Sequence, residues 1–445
     1  MSEPSQKSCG EFRPPPYSLA DPLTGLLPYV AIAEMEKGDP DVFIAAADTV
    51  NTQIYGFPNE VTSKGSGAGL TYAAAQGAAI GEGIERYAFS IVHPEDLLLG
   101  SFHDMYVKHR NPIAPNRWAM FDASQYASLP IPPFNDATPI AWTPAQSLTH
   151  HRDCLVPASM VYIPYAPAFQ EQGEQIVTFA ISTGSACARS RAEAMLKGIC
   201  ELIERDAFMI MWRNRLPLPR VIIDPKCALY DIFHAKFDRP GLQYTLIQTT
   251  LDLGMPSFVG LVLDTRSDPP GIMVGGAAHP DPNRAALKTL LELVQGLKWK
   301  DFMKKTFTPE PGYRNVRSFD DRAHLYASND LREAFRFLWD HPHEVPLSGI
   351  PTQDTGHISR DLKLWVDKLA ARDLEVIATD MTPADAEACG LYVTRVLVPG
   401  FETMEGDHLL PFLGGRRWRD VPVQLGLLPA ETEIESINPY PHPYP

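Results

Sequence analysis

The chain is poor in the features that usually name a chemistry. Its 445 residues hold six cysteines, Cys9, Cys154, Cys187, Cys200, Cys227 and Cys389, with no CxxC or Cys…His ligand spacing among them. That excludes a disulfide framework or zinc module and fits buried thiols in a reducing cytoplasm. Cys187, in a Gly/Ser turn, is a minor candidate nucleophile. No apolar run approaches membrane-spanning length, and MSEPSQKSCGEFRPPP lacks the apolar core of a signal peptide. Neither GxxxxGK[ST] nor GxGxxG occurs. The stretch SKGSGAGLT has alternating glycines and reads either as backbone approaching phosphates or as a plain turn. Positive charge is scarce: 39 Lys and Arg stand against 54 Asp and Glu, a net −15. This argues against nucleic acid or an anionic membrane as the main partner. It suits a basic protein or peptide, or simply a soluble acidic surface.

What the chain does have is a repeated pattern. Thr71, Ala75, Glu82 and Glu85 recur as Ser190, Ala194, Glu201 and Glu204, and again as Asp281, Ala285, Glu292 and Gln295. In each segment the cap lies eleven residues before the first Glu and the Ala seven before it, and the second polar residue lies three after. Thr, Ser and Asp are good N-caps, Ser190 with Glu193 reads as a capping box, and Pro282 suits a first helical position. The segments predict helices over roughly 72–92, 191–213 and 282–305. Positions three or seven apart share a helix face, so the polar pairs project together, and the Ala keeps that face thin enough for a backbone or ligand to approach.

A single ExxER on a helix is most simply a solvated face. The recurrence and the apolar flanks (Ile80, Ile84, Ile199, Ile203, Leu290, Val294) point instead to partly buried carboxylates, which repel unless compensated. Mg²⁺ takes carboxylate oxygens together with substrate phosphates, so a cleft holding Mg²⁺ and a nucleoside triphosphate answers the cost. Arg86, Arg205 and Lys197 are candidates to face the phosphates.

Along the chain, residues 1–16 read as disordered. Strand-like runs lie in PYVAIAEM, DVFIAAADTV, QIVTFAIS, RVIID, YTLIQTT, SFVGLVLD, GIMVGGAAH, EVIATDM and LYVTRVLV, and DLKLWVDKLAARDL is an amphipathic helix. Residues 306–360 read as an irregular surface insertion. The expectation is one α/β domain over 17–437, with mixed sheets, Glu-bearing helices and a diverged internal duplication, followed by a Pro-rich tail over 438–445.

GAGLTYAAAQGAAIGEGIERY, STGSACARSRAEAMLKGICELIERDAF, ALKTLLELVQ and DMTPADAEACGLYVTRVLVPGFETMEGDHLLPFLGGRRW together resemble the YcaO family from about residue 17 to the end. The resemblance implies a YcaO fold binding ATP and Mg²⁺. It implies that Glu82, Glu85, Glu201 and Glu204 are metal and phosphate ligands, with Arg205, Glu292 and Gln295 lining the nucleotide site. Two positions depart from the family pattern: Ala68, where members often carry Lys, and Ala78, where they often carry Ser. Lys64 is the candidate replacement for the missing cation.

The chain ends NPYPHPYP. By composition this is a free polyproline II tail or a ligand for a Pro-binding module. A stiff rod also loses little entropy on docking, so it can deliver a terminal carboxylate into a cleft. A PxPxP end resembles that of azoline-forming YcaO cyclodehydratases. This implies ring formation on Cys, Ser or Thr of a ribosomal precursor peptide, with the Pro445 carboxylate or His442 moving the proton. It also implies a separate ThiF-like partner that captures the leader peptide, with a flavin-dependent azoline dehydrogenase in the same pathway and room for a homodimer. Thioamide formation with a TfuA-like partner, and a non-catalytic nucleotide-binding accessory protein, are the alternatives.

Overall fold

The computed structural model describes residues 16–55, 64–118, 120–129, 131–178, 180–302, 307–340 and 343–444. The expected disorder of the N-terminus falls almost wholly outside these. Three helices carry the repeated pattern. Thr71 accepts the Ala74 N–H at 3.3 Å and opens the first, Tyr72–Ser90. Ser190 accepts the Glu193 N–H at 3.2 Å and opens the second, Arg191–Asn214, while the Glu193 carboxylate goes to Lys197. Asp281 accepts the Asn283 N–H at 2.9 Å ahead of the third, Pro282–Phe302.

Each helix packs on its own sheet. The first lies on an antiparallel sheet of Tyr29–Ile32, Phe43–Asp48 and Gly65–Gly69. The third lies on a five-stranded sheet ordered Gly271–Ala278, Ser257–Asp264, Leu242–Gln248, Arg220–Ile222 and Glu344–Pro346, antiparallel except for its last pair. The second packs on Tyr392–Leu397 and Ser185–Ala188 of a sheet that continues through Ile377–Asp380 and Ile140–Ser147 to Leu98–Gly100, with Arg152–Pro157 also paired to Ile140–Ser147. The architecture is the mixed α/β fold expected.

The glycine-rich stretch is a strand, not a turn. A Cβ at Gly65 would lie 2.4 Å from the Gly83 nitrogen, one at Gly67 2.5 Å from the Ala79 nitrogen, and one at Gly69 2.7 Å from the Ala75 nitrogen. Alternating glycines thus let the strand lie flush on the thin Ala face of the first helix. Ala75, Ala194 and Ala285, the repeated alanines, are all fully buried.

Two expectations shift. The strand foreseen in QIVTFAIS is displaced to Ser185–Ala188. Gly184 makes the preceding corner at φ +91°, and the Ile181 carbonyl bonds the Arg395 guanidinium at 2.7 Å instead of a neighbouring strand. The described residues within 306–360 are not a surface insertion. Helix Phe319–Ser328 buries Arg322, Leu325 and Tyr326, Phe335 and Leu338 join the same core, and Glu344–Pro346 completes a sheet. Core positions one turn apart on a short polar helix escape a composition-based reading.

Candidate nucleotide and metal site

The first Glu of each pair does the same job three times. Glu82 Oε2 accepts the Ser66 N–H at 2.8 Å, Glu201 Oε2 the Gly184 N–H at 3.0 Å, and Glu292 Oε2 the Gly276 N–H at 3.1 Å. The donors precede their acceptors by 16, 17 and 16 residues. Each helix is therefore pinned to the backbone that leads into it, with one carboxylate oxygen spent on that bond. Glu82 Oε1 receives Arg86 at 3.0 Å, while Glu201 Oε1 lies 3.7 Å from Arg205 and Glu292 Oε1 3.7 Å from Lys288.

The second polar residues bring the helices together. Gln295 donates to the Ser66 hydroxyl, joining the third helix to the first repeat's strand. Burial pushes the Glu85 carboxyl up to about 8, with Arg86 opposing and Glu201 and Glu82 adding. Glu204 is 1% exposed. Its burial also pushes it up to about 8, against Arg205, with Glu292 and Glu201 adding. Burial works against the Arg205 guanidinium, but Glu204 and Glu201 outweigh it and hold it firmly charged.

Two carboxyl groups resisting ionisation beside three further glutamates mark a site short of positive charge, and a divalent cation fits it. Among the described residues no three Asp, Glu, His or Cys side chains close into a protein-only metal cage. Mg²⁺ does not need one, since it completes its octahedron with water and phosphate oxygens around one or two carboxylates.

Other predicted residues fall elsewhere. Lys64 pairs with Asp48 at 3.2 Å, both partly exposed. Lys197 pairs with Glu193 at 3.0 Å, and its charge also acts on Cys187, which neighbours Glu85. The Cys187 thiol is pushed up to about 12 by burial, with Glu85 adding, so it is no nucleophile near neutral pH. His442 is buried between Phe208 and Phe319, and its Nε2–H donates to the Glu405 carbonyl at 3.0 Å. Burial and Arg322 push its pKa well below the usual range, so the imidazole is neutral. Pro445 lies outside the described residues.

Three contributors were not foreseen. Lys288, one turn before Glu292 and with an exposed side chain, lies 3.7 Å from the Glu292 carboxylate and is held charged by Glu292, Glu204 and Glu201. It supplies a cation to the repeat that has Gly296 where the other two have Arg. Arg395 is fully enclosed and bonded to Ser185 Oγ at 2.8 Å; burial lowers its pKa to about 10 while Glu201 and Glu85 oppose the drop. Tyr444 reaches Glu204 from the tail. Lys288 was visible at the helical spacing i, i+4 from Glu292; the others are tertiary contacts with no local signal.

Three Glu-bearing helices that bring five carboxyl groups together offer the donor set with which a metal-dependent nucleotide-binding protein takes Mg²⁺ and phosphate. The family model described as YcaO cyclodehydratase, ATP- and Mg²⁺-binding, matches residues 66–402. The chain belongs to the YcaO family, and ATP and Mg²⁺ are the cofactors of this domain. A heterocyclase solved in complex with substrate and cofactor is similar at TM-score 0.78 and 25% identity, over 96% of this chain and 56% of that one, so the chain spans little more than half of that heterocyclase. YcaO from Methanopyrus kandleri, bound with AMPPCP and Mg²⁺, shares the fold at TM-score 0.59 and 19% identity, over 84% of this chain and 86% of its own. An uncharacterised protein in the tfuA 3′ region of Rhizobium leguminosarum bv. trifolii is 28% identical over 79% of this chain and 80% of its own length. Among the described residues no helix is long and apolar enough to cross a membrane.

Proposed function

We propose that the chain is an ATP-dependent cyclodehydratase that converts Cys, Ser or Thr of a ribosomal precursor peptide into thiazoline or oxazoline. The seat of the tail carries this reading. The Asn438 N–H bonds the Arg213 carbonyl at 2.9 Å, Trp212 Nε1–H the Tyr440 carbonyl at 3.2 Å, and the Tyr326 hydroxyl the Pro441 carbonyl at 2.6 Å. The Tyr444 hydroxyl ends 3.5 Å from Glu204 Oε1. A free tail or a ligand for another module would not be tied down this way. Here it leads Tyr444 to the second Glu pair.

In this reading the peptide's thiol or hydroxyl adds to the preceding carbonyl carbon, and the former amide oxygen must then leave. ATP, with Mg²⁺, supplies the phosphoryl group that turns that oxygen into a leaving group, so each ring costs one ATP and releases ADP and phosphate while the peptide loses one water. Glu82, Glu85, Glu201 and Glu204 hold the metal, and Arg86 and Arg205 face the phosphates, with Glu292 and Gln295 lining the nucleotide. The proton of the attacking thiol or hydroxyl is assigned to the Pro445 carboxylate, since the His442 Nε2–H is committed to a carbonyl. Leader-peptide capture is assigned to a ThiF-like partner and later oxidation to a flavin-dependent dehydrogenase. The setting is cytoplasmic, and a homodimer is compatible with the assignment.

The test is deletion of Pro441–Pro445, assayed with the partner, ATP–Mg²⁺ and a Cys/Ser-rich precursor by mass and phosphate release. Ring formation should drop about 10²-fold or more, the scale of lost positioning and proton transfer. Near wild-type rates would remove the tail from the mechanism. The relative in a tfuA 3′ region favours a second reading, thioamide formation. It would show as a sulfide- and TfuA-dependent product in which sulfur replaces the amide oxygen, which leaves as phosphate, so that the peptide gains mass instead of losing it.

A further inference from the structure

The Tyr444 ring fills a place inside the nucleotide site itself. It stacks edge-to-face on Phe208 with centroids 4.3 Å apart, and the Arg205 guanidinium lies over it at 4.4 Å. The same Arg205 holds Glu204 through its Nε at 3.0 Å, and the Tyr444 hydroxyl points to the same Oε1. On its other side the hydroxyl presses on the third repeat. A Cβ at Gly276 would stand 1.9 Å from the phenol oxygen, and the Gly276 N–H is the one that pins Glu292. Gly276 does not have positive φ, so close approach, not backbone freedom, is what glycine provides there. Tyr444 is 2% exposed. One side chain from the end of the chain thus touches Arg205 and Glu204 of the second repeat and the Gly276–Glu292 connection of the third.

We infer that Tyr444 is a positioning residue of the ATP–Mg²⁺ site, so that seating the tail and binding nucleotide are coupled. The tail then does more than carry a carboxylate. With Tyr444 in place, Arg205 is covered on one face while it pairs with Glu204, and the second and third walls keep their spacing. With the tail out, Arg205 and Glu204 lose their cover and the cleft loses its shape. Coupling of this kind is reciprocal: whatever the tail adds to nucleotide affinity, nucleotide adds to tail docking. The inference rests on the nucleotide-site reading and not on ring formation, so it is tested without peptide.

Two measurements decide it. Calorimetric titration of Mg²⁺–AMPPCP into the full chain should show Tyr444→Ala binding about tenfold more weakly, the effect of one lost cation–π contact and one lost hydrogen bond. Tyr444→Phe, which keeps the ring over Arg205, should stay within about threefold, since only the hydroxyl contact is lost. In the unmodified chain, hydrogen exchange of the Tyr440, His442 and Tyr444 amides should slow by about the same tenfold factor when Mg²⁺–AMPPCP is added, by reciprocity. Unchanged affinity in Tyr444→Ala, or tail exchange indifferent to nucleotide, overturns the coupling. Either result would leave the cyclodehydratase reading standing, whereas a chain that couples tail and nucleotide but forms no rings would fail only that reading.

Discussion

The second helix carries two clusters of buried charge, and they are built differently. Near its C-terminal end the charges are matched. Arg417 grips Asp206 at 2.7 Å and Asp252 at 2.9 Å, Arg213 meets Glu402 at 2.6 Å, and Glu402 also takes the Trp418 N–H at 3.1 Å. Towards the N-terminus, Glu201 and Glu204 gather with Glu82, Glu85 and Glu292, five carboxyl groups against the four cations Arg86, Arg205, Lys288 and Arg395. Matched burial fixes geometry, since each charge has a partner at hydrogen-bond distance. Unmatched burial stores a demand that a ligand answers. The first cluster holds the seat of the tail, and the second is the site the tail reaches.

The comparison breaks most sharply if one partner is taken from the matched cluster. Arg213→Met leaves Glu402 buried without its guanidinium, and the chain should lose about 3–5 kcal/mol in urea unfolding. A loss under ~1 kcal/mol would mean that pair is not structural. In the unmatched cluster the same kind of change should act on function instead. Glu204→Gln swaps a buried carboxyl that the apo protein keeps protonated for a neutral amide of the same shape, so its melting temperature should hold while ATP turnover, which needs the carboxylate, falls about 10²–10³-fold. Retained turnover would contradict its placement as a ligand. Glu82→Gln should cost less, about tenfold in nucleotide affinity, because a Gln oxygen still accepts the Ser66 N–H and only the charge is lost. A pair of opposed pH slopes separates the two regions as well. Glu85 and Glu204, raised to about 8, hold protons in the folded chain that the unfolded chain has released above its ordinary value near 4.5. Apo stability due to them therefore falls as pH rises across that window, and Mg²⁺–AMPPCP should flatten this slope. His408, beside Tyr313 and lowered to about 4 by burial with Arg322 adding, works the other way. Its stability is lost as pH falls from about 6.5 towards 4, with or without nucleotide. Melting curves against pH in both states would show whether the two slopes separate.

The helices and their polar pairs were legible in the sequence because a 3.6-residue period, a cap and a thin Ala stripe are local signals. The order of importance within each pair was not. Glu82, Glu201 and Glu292 look like free ligands in one dimension, yet each has an oxygen committed to a backbone amide from another element. The strand Gly65–Gly69 was hidden because glycines that permit close packing look like glycines that permit turns. Arg395 and Tyr444 carry no spacing signal, since their neighbours at the site lie some two hundred residues away in sequence. His442 was singled out for its chemistry, and its burial beside Arg322 makes it an anchor.

The central claim is that the unmatched glutamates are the ATP–Mg²⁺ ligands. Its most direct test is calorimetric titration of AMPPCP, with and without Mg²⁺, into the unmodified chain and into Glu85→Gln/Glu204→Gln, with circular dichroism to confirm folding. The account predicts Mg²⁺-dependent binding in the first and none measurable in the folded double variant. Binding of equal affinity in the two proteins would contradict it.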